Sequence, residues 1–317
     1  MSGTLGGVVS DWMDSVGEWF NELIKDGVKS QFDSMSELLT DTFDTTTGTN
    51  GLLNMYVNSH PAEFTGNVGG TGEKIWTTIE TLCNNVVVPV GGFILMIILL
   101  TDLFQMVIRG NNFKDFDNSI FFKWIIKALC GVLLVSNVFY IASGLFSFGT
   151  NVCANGLSTL FGVGSYLQDD LAIQDTALDT LSTGTLMSVW IISLFVHLAV
   201  MLIIVIIIVT LASRIIEIFM YLGAAPIPIA TLMYDGEWSS VGKNWIKQLL
   251  ALSFQGFFIV VALAIFKTLF ANMITSINTG VDDGIMMQMA MLLGYTAALI
   301  FTLLRTSAIS KSVFNAH

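Results

Sequence analysis

Met201-Leu-Ile-Ile-Val-Ile-Ile-Ile-Val209 carries no hydroxyl, amide or charge. It sits inside 34 residues without a charge, between Asp179 and Arg214. A helix rising 1.5 Å per residue needs about 20 apolar residues to cross the hydrocarbon of a bilayer. The stretch therefore reads as a membrane span, about 186–212. Working outward, similar charge-free runs lie between Glu80 and Asp102, Lys127 and Asp169, Lys247 and Lys267, and Asp283 and Arg305. Each can hold one span, at about 85–107, 120–145, 249–270 and 285–304.

Composition agrees: 54% of residues are hydrophobic and 12% are charged, with a mean hydropathy of +0.74. A soluble domain carries about 25% charged residues, so lipid must cover the remaining surface. The expected fold is all-α: a polytopic membrane protein with about five transmembrane helices, one re-entrant or broken segment, and an amphipathic extramembrane helix at the N-terminus. The first residues lack a basic region and an apolar core, so the first span is expected to act as the targeting signal.

Net charge is −11, but the acids are segregated. Residues 1–84 hold 12 acids against Lys25, Lys29 and Lys74. Within residues 1–44, apolar residues recur every three to five positions, from Val9, Trp12 and Val16 through Leu39 and Phe43. That is helical periodicity, with acids on the other faces. Surface-binding helices are usually basic, so burial against another protein or a second copy is the favoured reading over a membrane interface. Residues 45–74 read as a turn-rich linker and 75–317 as the transmembrane domain.

Lys and Arg cluster at Arg109, Lys114, Lys123 and Lys127; at Arg214; at Lys243 and Lys247; and at Arg305 and Lys311. Residues 149–185 and 271–284 hold acids and no bases. The positive-inside rule puts the basic clusters in the cytoplasm, the N-terminus outside and the C-terminus inside. This works only if the segment 218–232 enters and returns. Its centre, Gly223-Ala224-Ala225-Pro226-Ile-Pro228, suits a break, because Pro removes a donor and blocks the preceding turn. Broken backbone cannot face lipid, so the segment must be buried in protein or line an aqueous cavity. Gly223, Ala224, Ala225, Pro226 and Pro228 are thus the candidate pore or re-entrant residues.

Arg214, Glu217 and Gln255 are candidate polar lining. Arg214 and Glu217, three apart on a helix, can pair; interfacial anchoring and helix packing are the plainer readings. His197 reads as a hydrogen bonder between helices, and Asp102 as a solvated helix end. Cys83 and Cys153 are a candidate disulfide, with two free thiols as the alternative. No cysteine pair has a metal spacing. Catalytic and nucleotide-binding signatures are missing from the sequence, so no enzyme activity, metal or cofactor is expected.

Tyr221-Leu-Gly-Ala-Ala-Pro-Ile-Pro-Ile-Ala-Thr-Leu232, followed by Trp245-Ile-Lys-Gln-Leu-Leu-Ala-Leu-Ser-Phe-Gln-Gly-Phe-Phe258, resembles the TrbL family of conjugal-transfer proteins. The order is similar too: a long span, the Ala-Pro-Ile-Pro break, a short basic loop, then a span with a Gln-Gly pair. The resemblance implies a channel or scaffold subunit of a conjugative type IV secretion system in the inner or plasma membrane. It implies partners as well: further copies, other secretion subunits with separate cytoplasmic ATPases and extracytoplasmic components, phospholipid, and transient DNA–protein cargo. A small-molecule or ion transporter is the alternative, since a broken helix is also a transporter feature. A holin-like pore is a second.

Overall fold

The structure is a computed structural model that describes residues 3–43, 67–68, 73–109, 118–161, 172–279 and 284–316. Lys114, Gly162–Gly164 and most of the 45–74 linker lie outside the described residues. The described chain is overwhelmingly helical. The helices are α1 (Gly3–Phe43), α2 (Ile75–Leu82), α3 (Val88–Arg109), α4 (Asn118–Ser136), α5 (Val138–Phe161) and α6 (Asp175–Asp179). They continue with α7 (Thr183–Ala224), α8 (Pro226–Thr231), α9 (Ser239–Asn278) and α10 (Ile285–Val313). A π-helical turn, Cys83–Val87, joins α2 to α3. Two-residue strands β1 (Asn67–Val68) and β2 (Glu73–Lys74) pair antiparallel ahead of α2.

Among the described residues, four helices are long and apolar enough to cross a membrane: Ile75–Ile108, Thr183–Ala224, Ser239–Asn278 and Ile285–Val313. A fifth crossing arises if Phe121–Ser136 and Val138–Leu160, bent by 68°, count as one. The chain is thus a polytopic all-α membrane protein, as its composition requires. The α7 helix has 42 residues, about 63 Å at 1.5 Å per residue, twice the depth of the hydrocarbon.

Two expected boundaries are corrected. The span placed at 120–145 bends at Asn137, whose side-chain amide donates to the Leu133 carbonyl at 2.9 Å. A side chain competing for a helical carbonyl is a recognised cause of kinks. Beyond the expected end of that span at 145, the chain stays helical to Phe161. Glycines there serve packing: a Cβ on Gly149 would collide with Ser253, and one on Gly156 would lie 3.2 Å from the Phe257 ring.

The chain forms two compact units. One comprises Met1–Asn54, Ser158–Val209 and Val261–Leu304. Here α1 is a single unbroken helix of 41 residues. Its second half is anchored by Lys25 on Asp179 at 2.6 Å and by Lys29 on Asp175. Gly27 lies under the Trp190 indole, and Ser193 donates to the Gln31 side chain. His197 Nδ1 bonds the Gln31 carbonyl at 3.2 Å. Ile24, Val28, Phe32, Met35 and Leu39 are buried along this half, so α1 runs beside the apolar part of α7.

The other unit comprises Met55–Leu157, Thr210–Val260 and Arg305–His317. Its core gathers Cys83, Leu95, Phe139, Phe146, Ile218, Leu222, Ala225 and Trp245. Trp76 meets Phe139 edge-on at 4.9 Å, and Tyr140 donates to Glu80 at 2.6 Å.

Candidate functional site

The break in the long apolar run is narrower than the sequence implied. Helix α7 continues through Gly223 to Ala224, and Ala225 alone separates it from α8, which opens on Pro226. Pro tolerates the first turn of a helix because its missing N–H has no helical partner there. The Ala225 N–H takes the Leu222 carbonyl at 3.3 Å, and the ladder resumes with Ile229 N–H on Ala225 at 3.2 Å. Thr231 donates to the Pro228 carbonyl at 2.7 Å.

Pro226, Pro228, Ile229, Ala230 and Thr231 are buried, as are Gly223 and Ala225, while Ala224 is exposed. The broken backbone is therefore enclosed by protein within one chain, one of the two solutions lipid permits. Three glycines make the enclosure. A Cβ on Gly91 of α3 would lie 2.7 Å from the Pro226 carbonyl oxygen. One on Gly242 of α9 would lie 2.5 Å from the Pro228 oxygen, and one on Gly131 of α4 3.0 Å from both Leu95 and Met233. Small residues let helix backbones approach where apolar solvent gives little drive to associate. Tyr221, just before the break, donates to Gln248 of α9.

The turn after α8 is held by charge. Lys127 of α4 bonds Asp102 of α3 and Asp235 of the turn, each at 2.6 Å. Asp102 is buried, which corrects its reading as a solvated helix end. Lys127→Ala would strand that carboxylate. We expect a loss of about 2–4 kcal/mol in unfolding stability, since breaking a buried pair leaves an uncompensated charge. Asp235→Asn, at an exposed partner, should change little. Chemical unfolding of the purified variants in detergent checks both.

The three candidate lining residues do not form a lining. Arg214 is 1% exposed and Gln255 is buried, while Glu217 is half-buried. Arg214 does not pair with Glu217. Its Nε donates to the Leu252 carbonyl at 3.3 Å and a terminal nitrogen to the Ser253 carbonyl at 3.1 Å. The other terminal nitrogen is buried without a partner. Gly256 leaves the space, since a Cβ there would lie 2.8–2.9 Å from the guanidinium. Sequence spacing favoured the near carboxylate; the α9 carbonyls were invisible because they belong to another helix's backbone.

Cys83 and Cys153 are both free and buried, so the candidate disulfide is not formed. Cys83 sits in the core with Phe139, while Cys153, farther along α5, lies 4.0 Å from the Ser253 carbonyl. From Phe139 to Cys153 the helix rises about 21 Å, beyond any disulfide. Among the described residues, no group of three or more His, Cys, Asp or Glu side chains could hold a metal ion.

The profile of the TrbL/VirB6 plasmid conjugal transfer like family matches residues 57–226. No curated protein and no solved structure matches the chain. The matched region runs from the linker through α7 and ends on Pro226, at the break itself. The Trp245–Phe258 stretch, part of the sequence resemblance, falls outside it. More than half of the chain carries the match, and its helices supply the apolar spans such a protein requires: the chain belongs to the TrbL/VirB6-like family of plasmid conjugal-transfer proteins.

Proposed function

We propose that this chain is the polytopic subunit of a conjugative type IV secretion system, serving as channel or scaffold for DNA–protein or protein cargo in the cell membrane. The observation that carries the reading is the family match ending on a broken helix whose prolines are packed between α3 and α9. A packed break builds a rigid joint rather than an open filter, which favours an assembly role alongside any passage. The subunit acts with further copies of itself, surrounded by phospholipid. Separate cytoplasmic ATPases supply the energy, and extracytoplasmic subunits meet the acidic N-terminal end. The N-terminus lies outside and the C-terminus in the cytoplasm, with 218–232 returning to its side of entry. The subunit has no catalytic residue or cofactor of its own.

Removing the chain from a donor cell should abolish plasmid transfer, and supplying it in trans should restore it. Crosslinking transferring DNA in the restored donor then separates the two roles. Recovery of DNA with this chain, lost when the ATPases are inactive, is expected for a channel. Full dependence of transfer on the chain without DNA recovery makes it a scaffold. Unchanged transfer in the deletion would end the proposal.

A further inference from the structure

Helix α1 changes face at Ile24. In its second half the buried apolar residues are Ile24, Val28, Phe32, Met35 and Leu39, the side that holds α1 to its own unit. In its first half the apolar residues are Val9, Trp12, Val16, Trp19 and Leu23, each 42–67% exposed. Their spacing is three, four, three, four, the heptad a and d positions of a coiled coil. Carried into the second half, the same positions are Asp26, Ser30, Asp33 and Glu37. The seam therefore stops where α1 docks. On a helical wheel at 100° per residue it points nearly opposite to the docked side.

We propose that residues 9–23 of α1 form a parallel coiled-coil seam with the same residues of further copies of this chain. This rests on the homo-oligomeric part of the function proposed above, and it names the surface. Copies inserted in one membrane with one orientation hold their α1 helices parallel and level, as a parallel heptad seam requires. The charges permit it. Asp11, Asp14 and Glu18 fall at positions c and f, away from the seam, and Glu22 at g faces the uncharged Gly27 at e of the neighbouring helix, so like charges are not forced together. Met13 and Phe20, both exposed, fall at e and widen the apolar face beyond what two helices cover. A bilayer surface fits less well. The helix is unbroken into the half fixed by Lys25 and Lys29, so it cannot fold flat, and its polar side is acidic.

The test uses the full chain in native membranes, with exposed Cys130 replaced by Ala and buried Cys83 and Cys153 kept. Single cysteines replace Val16 or Trp19 on the seam and Asp14 or Glu18 opposite. Copper-catalysed oxidation should give covalent dimers at least tenfold more abundant at the seam positions. Native-gel mass, measured in parallel, separates the two claims. An oligomer whose four positions crosslink equally, or not at all, overturns the seam while leaving the oligomer standing. A monomer overturns both. Crosslinks to a protein of another mass at Val16→Cys or Trp19→Cys overturn the choice of a second copy.

Discussion

On the function proposed above, Gly91→Val and Gly242→Val should each reduce plasmid transfer to background and lower the melting temperature of the purified chain. Both glycines touch backbone, at 2.7 Å from the Pro226 oxygen and 2.5 Å from the Pro228 oxygen, measured from an added Cβ. A carbonyl in α8 cannot swing aside as a side-chain end can, because its neighbours are buried on α3 and α9. One added methyl in such a packed site costs about 1–3 kcal/mol, and a branched side chain costs more. Domain stability is only about 5–15 kcal/mol, so this is a large fraction. Gly92, the neighbour of Gly91, has nothing within 4 Å of an added Cβ. Gly92→Ala should be neutral or stabilise by about 0.5–1 kcal/mol, through helix propensity. The pair of adjacent positions isolates the contact from any general effect of glycine in α3. Thermal unfolding in detergent alongside donor transfer frequency measures both. A Gly91→Val chain that melts with the wild type would mean that α8 does not rest on α3.

The sequence disclosed this architecture unevenly, for physical reasons. Charge-free length is enforced by lipid, so the runs around Met201–Val209 and Leu249–Phe270 could be read directly as spans. The Pro226 and Pro228 break was legible because Pro has a local, fixed effect on the backbone. What could not be read depended on partners distant in sequence. Gly149 and Gly156 look like loop residues, yet they are packing surfaces of α5 against Ser253 and Phe257. Asn137 looks like any polar residue in a span; its bend comes from a bond to its own helix. The helical period of α1 was plain, but not that two faces take turns. The acids at Asp26, Asp33 and Glu37 mark the switch only once the buried side is known. His197 had no partner in sequence because its acceptor is the backbone of Gln31.

Arg214→Met should keep the fold at wild-type stability or better, yet transfer should fail. Arg214 is 1% exposed, always charged, and held by two carbonyls of α9 with one nitrogen unpaired. Desolvating such a charge without a carboxylate opposes folding by several kcal/mol, and apolar residues of similar volume often replace buried charges without loss. An apolar side chain would suit this core better, so stability alone does not account for an arginine there. Gly256 gives an independent check on geometry. Gly256→Ala places a methyl 2.8 Å from a pinned guanidinium nitrogen, and should cost about 1–3 kcal/mol. In an Arg214→Ala background the methyl meets open space and the cost should nearly vanish. The coupling in that double-mutant cycle is then about 1–3 kcal/mol, well above what independent sites show. Additive effects would place the guanidinium elsewhere. An Arg214→Met chain that both folds and transfers would make the buried charge dispensable. One that folds and does not transfer assigns the arginine to the working of the machine proposed above.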